Sequence, residues 1–90
     1  MELKKIQEKI KKLEEQKNWI NTPDRKITFL LEELGEVSKW VRRSRNKPLS
    51  EEEKGELNKE FADVLQHLIS LANDFRLDLE EGLRKKKKIN

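Results

Sequence analysis

Cysteine is absent from the 90 residues, and histidine occurs once. Without thiols there is neither a disulfide scaffold nor a thiolate metal site. A single imidazole also cannot build the two Glu-x-x-His motifs of a di-iron carboxylate bundle. No run approaches the roughly 18 apolar residues of a membrane span, and the opening Met-Glu-Leu-Lys-Lys has no apolar leader segment. The expectation is a soluble, cytoplasmic protein with no membrane partner. A dominant charge is missing too. The 21 basic and 18 acidic residues give a net charge of +3 and are interspersed, so no nucleic-acid-binding face is expected. Neither internal repeats nor strand-like alternation is found.

Apolar residues are scarce, at 33% against 43% charged. A chain this short forms one domain, 1–90, and buries only about 60% of the surface its unfolded form exposes. A thin core offsets chain entropy poorly, so apolar helix surface is expected to be shared between subunits of a homodimer or homotetramer.

What remains reads as four helices. Leu3, Ile6, Ile10, Leu13 and Ile20 set a narrow stripe over about 2–19, which Lys17 interrupts. Thr22 can cap and Pro23 can open a second helix over about 23–45, with Ile27, Leu30, Leu31, Leu34, Val37 and Val41 as its apolar side. Ser50 and Glu53 form a Ser-x-x-Glu capping box for a third helix to about residue 75. Its core stripe is Leu57, Phe61, Val64, Leu68, Leu71, Ala72 and Phe75. Asp78 and Glu81 begin a fourth over about 79–88. Short loops predict an all-α, four-helix bundle in which neighbouring helices run antiparallel.

Beside the core stripes run polar ones. Glu33 and Glu36 lie between Phe29 and Trp40 on one line of the second helix, and Glu60 and Asp63 lie with His67 on the third. Residues three apart on a helix are neighbours, so each acidic pair is a ready pincer. Two opposed pincers would bring like charges together, a cost that a hard divalent cation relieves through oxygen ligands. The bland alternative is that 18 acids scattered on helices make such pairs by chance and leave them solvated. Trp19, Trp40 and His67 are candidate substrate contacts, because a nucleobase needs flat partners near a metal. Basic residues gather at 42–47 and 84–88.

The two motifs read Glu32-Glu33-Leu34-Gly35-Glu36 and Glu60-Phe61-Ala62-Asp63. Val64-Leu65, Leu71-Ala72, Asp78-Leu79, Lys86 and Asn90 follow in order. With these, the chain resembles the MazG-like all-α nucleoside triphosphate pyrophosphohydrolases over about 19–90. The Trp19…Pro23 segment is similar to their dCTP pyrophosphatase branch. The resemblance implies that Glu33, Glu36, Glu60 and Asp63 bind Mg²⁺, with Mn²⁺ able to substitute, and that Glu32 orients the water. Lys86 and Asn90 would contact phosphate. It further implies cleavage of a nucleoside triphosphate to monophosphate and pyrophosphate, as nucleotide-pool house-cleaning. Two alternatives stand beside it: a phosphoribosyl-ATP pyrophosphohydrolase and a non-catalytic helical interaction module.

Overall fold

The computed structural model describes residues 2–18 and 21–86. Four helices follow in order, α1 (Leu3–Lys17), α2 (Pro23–Ser44), α3 (Glu51–Asp74) and α4 (Leu79–Lys86), with no strand among the described residues. Their ends follow local chemistry. The Arg25 amide donates to Thr22 Oγ1 at 3.3 Å ahead of Pro23. The capping box at α3 is complete: the Glu53 amide donates to Ser50 Oγ at 3.1 Å and the Ser50 amide to Glu53 Oε1 at 3.0 Å. The Glu81 amide donates to Asp78 Oδ1 at 3.1 Å and starts α4. Asn18 and Arg76, both with φ of 56°, stop α1 and α3 by turning the backbone left-handed. None of these helices is long and apolar enough to cross a membrane.

α2 and α3 form the framework. Lys26 meets Asp74, Phe29 meets His67, and Arg43 meets Glu53, so numbers rise on one helix as they fall on the other and the pair is antiparallel. Among the described residues, Leu30 and Val37 of α2, with Ile69 and Ala72 of α3, are the buried apolar ones, and of these only Ile69 is completely enclosed. Ile69 lies outside the expected core stripe, one turn before Asn73, which meets Gln7 of α1.

The rest of the expected α2 and α3 stripes is only partly covered. Ile27, Leu31, Leu34 and Val41 are exposed on α2, as are Phe61 and Leu68 on α3 and Phe75 just past its end. α1 packs chiefly on α3 and α4, and its attachment is polar. Its one buried residue is Gln7. The Gln7 side-chain amide donates to Asn73 Oδ1 (3.0 Å) and the Leu77 carbonyl (2.9 Å), and Gln7 Oε1 accepts from the Leu79 amide (3.0 Å). A buried amide with its hydrogen bonds satisfied fixes register where an apolar stripe would slide.

Candidate metal centre

Glu33 on α2 and Glu60 and Asp63 on α3 each offer a carboxylate oxygen, and these oxygens lie within 4.8 Å of one another. Two facts of sequence put them there. Glu60 and Asp63 are three apart on one helix side, and the antiparallel match of Phe29 to His67 brings Glu33, one turn after Phe29, level with Asp63, one turn before His67. Glu33 and Glu60 are half-buried and Asp63 is exposed.

The electrostatics of this group are those of crowded acids. Glu60 is held above the usual carboxylate range, chiefly by a hydrogen bond shared with the Glu33 carboxylate. Loss of solvent adds to this, as do the negative charges of Glu33, Asp63 and Glu36. Acids crowded so that one is pushed toward its protonated form mark a place where positive charge is wanted. The donor set is all oxygen and anionic, which suits a hard cation such as Mg²⁺.

Glu36 stands one turn beyond Glu33 and contributes its charge to Glu60, but its carboxylate is taken by Lys39 Nζ at 3.3 Å. It is not among the three that converge. Glu32 is exposed on α2. His67 is half-buried, and its Nδ1 lies 2.8 Å from the Asp63 carbonyl oxygen. Because a carbonyl only accepts, Nδ1 is the donor in this contact. The Phe29 and His67 rings lie 6.0 Å apart at their centroids.

Trp40 is half-buried near the other end of α2, with the Arg43 guanidinium 5.3 Å from its ring centroid. That face is occupied by a cation, an arrangement that stabilises the pair by about 0.5–1 kcal/mol at an exposed site. Lys86 ends α4 and is exposed. Trp19 and Asn90 lie outside the described residues.

Sequence reasoning passed over a second polar cluster next to this centre. Lys26 is buried, and its ammonium lies 2.8 Å from Asp74 Oδ1, 3.5 Å from the Ser70 carbonyl and 3.6 Å from Glu14 Oε2. Ser70 Oγ donates to Glu14 Oε2 at 2.6 Å. Ser70 and Asp74 continue, at helical spacing, the polar line of Glu60, Asp63 and His67 on the third helix. Their partners were not visible in the sequence, because Lys26 falls on the side of α2 that faces α3 and Glu14 belongs to a helix 56 residues away.

The arrangement can hold a divalent cation against anionic oxygens of a ligand lying along the α2–α3 seam. A family model for the MazG nucleotide pyrophosphohydrolase domain matches residues 21–90. No curated protein and no solved structure matches the chain.

Proposed function

The chain belongs to the MazG nucleotide pyrophosphohydrolase family, and on that premise we propose that it is a Mg²⁺-dependent enzyme acting on nucleoside triphosphates. It would cleave between the α- and β-phosphates, water adding to phosphorus as pyrophosphate leaves with the electron pair of the broken P–O bond. The observation that carries this is the convergence of carboxylate oxygens from Glu33, Glu60 and Asp63 within 4.8 Å of one another. Those three residues hold the ion, and Glu36 joins them once it releases Lys39. When bound, Mg²⁺ supplies Lewis-acid charge that neutralises phosphate oxygens and eases deprotonation of water. The chain itself positions: Glu32 is proposed to orient the water, Lys86 and Asn90 to meet phosphate, and Trp19, Trp40 and His67 to border the substrate. Mn²⁺ has the same hard, oxygen-seeking character and is expected to substitute.

We also propose that 1–90 works as one domain in the cytoplasm, cleaning the nucleotide pool, and assembles as a homodimer or homotetramer. The exposed residues Ile27, Leu31, Leu34 and Val41 of α2 recur at +4, +3 and +7, and Phe61, Leu65 and Leu68 of α3 with Phe75 at its C-terminal cap also recur at +4, +3 and +7. Matching seven-residue spacing on two antiparallel helices is self-complementary, as a two-fold interface between copies requires.

The test is product analysis. Purified protein with Mg²⁺ is incubated with a panel of canonical and modified triphosphates and with phosphoribosyl-ATP. Monophosphate plus pyrophosphate from a triphosphate supports the proposal, turnover of phosphoribosyl-ATP alone would reassign the substrate, and absence of pyrophosphate throughout sinks the enzyme reading.

A further inference from the structure

A cleft of about 240 Å³ opens one helical turn from the converging carboxylates, bordered by Phe29, His67, Gln66, Ser70, Lys26 and, from α1, Glu14. Phe29 is one turn before Glu33 and His67 one turn after Asp63, so the cleft begins on the same seam that holds the metal centre. We infer that this cleft receives the base of the substrate and that Glu14 is a specificity-determining residue that selects bases bearing an exocyclic amino group over their keto counterparts. The inference rests on the pyrophosphohydrolase reading for the identity of the ligand. It goes beyond that reading because Glu14 belongs to α1, which lies outside the family match over 21–90.

The chemistry of the walls decides the preference. Phe29 and His67 supply flat apolar surface at the mouth, against which any base can stack. Deeper in, Lys26 is engaged by Asp74, the Ser70 carbonyl and Glu14, and points no unused charge at a ligand. Glu14 differs. Its Oε2 takes the Ser70 hydroxyl and lies 3.6 Å from Lys26 Nζ, while Oε1 has no polar partner among the described residues. Its side chain is 19% exposed, so the carboxylate as a whole is largely withdrawn from solvent. A fixed carboxylate oxygen accepts from N4–H of cytosine or N6–H of adenine, and it repels O4 of uracil or O6 of hypoxanthine. Pairing through a charged acceptor corresponds to about 10–100-fold in affinity, and the mismatched partner also leaves Glu14 unsatisfied. The side-chain amides of Gln66 and of Asn21, which also borders the cleft, can flip to either role and do not discriminate.

The test compares kcat/KM for dCTP against dUTP and dATP against dITP, in the full chain and in Glu14→Gln. Wild type should favour the amino member of each pair by about 10-fold or more, and Glu14→Gln should bring both ratios near one, because a side-chain amide serves either edge. An active wild type whose ratios survive in folded Glu14→Gln overturns the inference. A second readout needs neither metal nor turnover nor a variant: ¹H–¹⁵N spectra of the wild-type chain titrated with deoxycytidine in metal-free buffer. Shifts at Phe29, Gln66, His67 and Ser70, stronger than with deoxyuridine, support the cleft as base subsite even if no triphosphate is cleaved. That outcome would remove the enzyme reading alone. Equal responses to the two nucleosides, or none at those residues, overturn the inference whatever the activity.

Discussion

Glu53 and Glu60 stand two turns apart on the same side of α3, both facing α2, yet the chain shifts their carboxyl groups in opposite directions. At the first turn Glu53 accepts the Ser50 amide at 3.0 Å and lies 2.8 Å from the Arg43 guanidinium. The Ser50 hydrogen bond is the main cause that holds it below the usual carboxylate range. At mid-helix Glu60 meets Glu33, Asp63 and the field of Glu36, and is held above that range. The sequence reads Glu53 as half of a capping box and Glu60 as half of an acidic pair. Their partners separate them: an acid supplied with donors is framework, whereas an acid set against other acids waits for an external charge.

The largest consequence concerns turnover. Glu60→Ala and Asp63→Ala each remove a proposed ligand while keeping helical backbone. Pyrophosphate release should fall by about 10³-fold, because several kcal/mol of charge stabilisation go with the ion and each 1.36 kcal/mol is tenfold. Far-ultraviolet circular dichroism should stay helical. Glu53→Gln should leave kcat within about threefold, since that acid only caps and pairs. Equal losses in Glu53→Gln and Asp63→Ala would erase the distinction between the two turns.

Metal and pH probe the same contrast. In metal-free buffer, between the ordinary carboxylate range and the raised value of Glu60, the folded chain holds a proton that the unfolded chain releases. Stability contributed by Glu60 is therefore present at lower pH and lost as pH rises through its raised pKa. Glu53 has the reverse sign. Its contribution is intact above the ordinary carboxylate value and is lost as pH falls through its lowered one. Mg²⁺ replaces the proton, so at about 100 times its Kd it should stabilise by about 2.7 kcal/mol. This effect should weaken as pH drops. Thermal melts of wild type and Glu60→Gln across pH, with and without Mg²⁺, read both signs; Glu60→Gln should melt higher than wild type without metal and gain less from it.

How much of this was legible before the structure depends on the range of each interaction. Capping at Thr22, Ser50 and Asp78 is settled within three residues, and so were the helix starts. The acidic pairs were legible for the same reason. Opposing Glu33 to Glu60 and Asp63 needed only that two successive amphipathic helices fold back on each other. Contacts between distant segments left no such trace. Gln7 is buried while its neighbour Ile6 is 40% exposed, because α1 is held by side-chain amides, and hydrophobic periodicity is blind to those. Trp40 read as a free stacking surface, yet Arg43, three residues on, lies over its ring. Glu36 read as an equal of Glu33, but Lys39 draws it aside.

The apolar stripes supply the next effect in size. Leu31 and Phe61 are 63% and 52% exposed, and on the two-fold proposal both are covered by the other copy. Leu31→Asp should shift sedimentation from dimer or tetramer to monomer and cost about 2 kcal/mol per subunit, the scale of burying one leucine. Sedimentation unchanged from wild type would move the interface elsewhere. The carboxylates should be indifferent: spectra of metal-free Leu31→Asp should still show Glu60 protonated above the usual range, since Glu33 shares its own chain.

The smallest effect is at the start of α3, where the two halves of the capping box can be removed separately. Ser50→Ala deletes the oxygen that accepts from the Glu53 amide, but it leaves the backbone amide that donates to Glu53 Oε1. The expected loss is about 1 kcal/mol, read as a lower urea midpoint at unchanged m-value. Because the main cause of the low Glu53 pKa survives, the acid limb of its stability profile should stay where it is. Glu53→Ala does the converse, removing that acid limb and the Arg43 pair while sparing the Ser50 oxygen. Thr22→Ala on α2 gives the scale for a cap without a reciprocal acid. It should cost less than Ser50→Ala, since its one hydrogen bond is longer, at 3.3 Å against 3.1 Å. A larger loss at Thr22 than at Ser50 would mean that the tie between α1 and α2, rather than the cap on α3, is the more sensitive end of the framework holding Glu33 against Glu60.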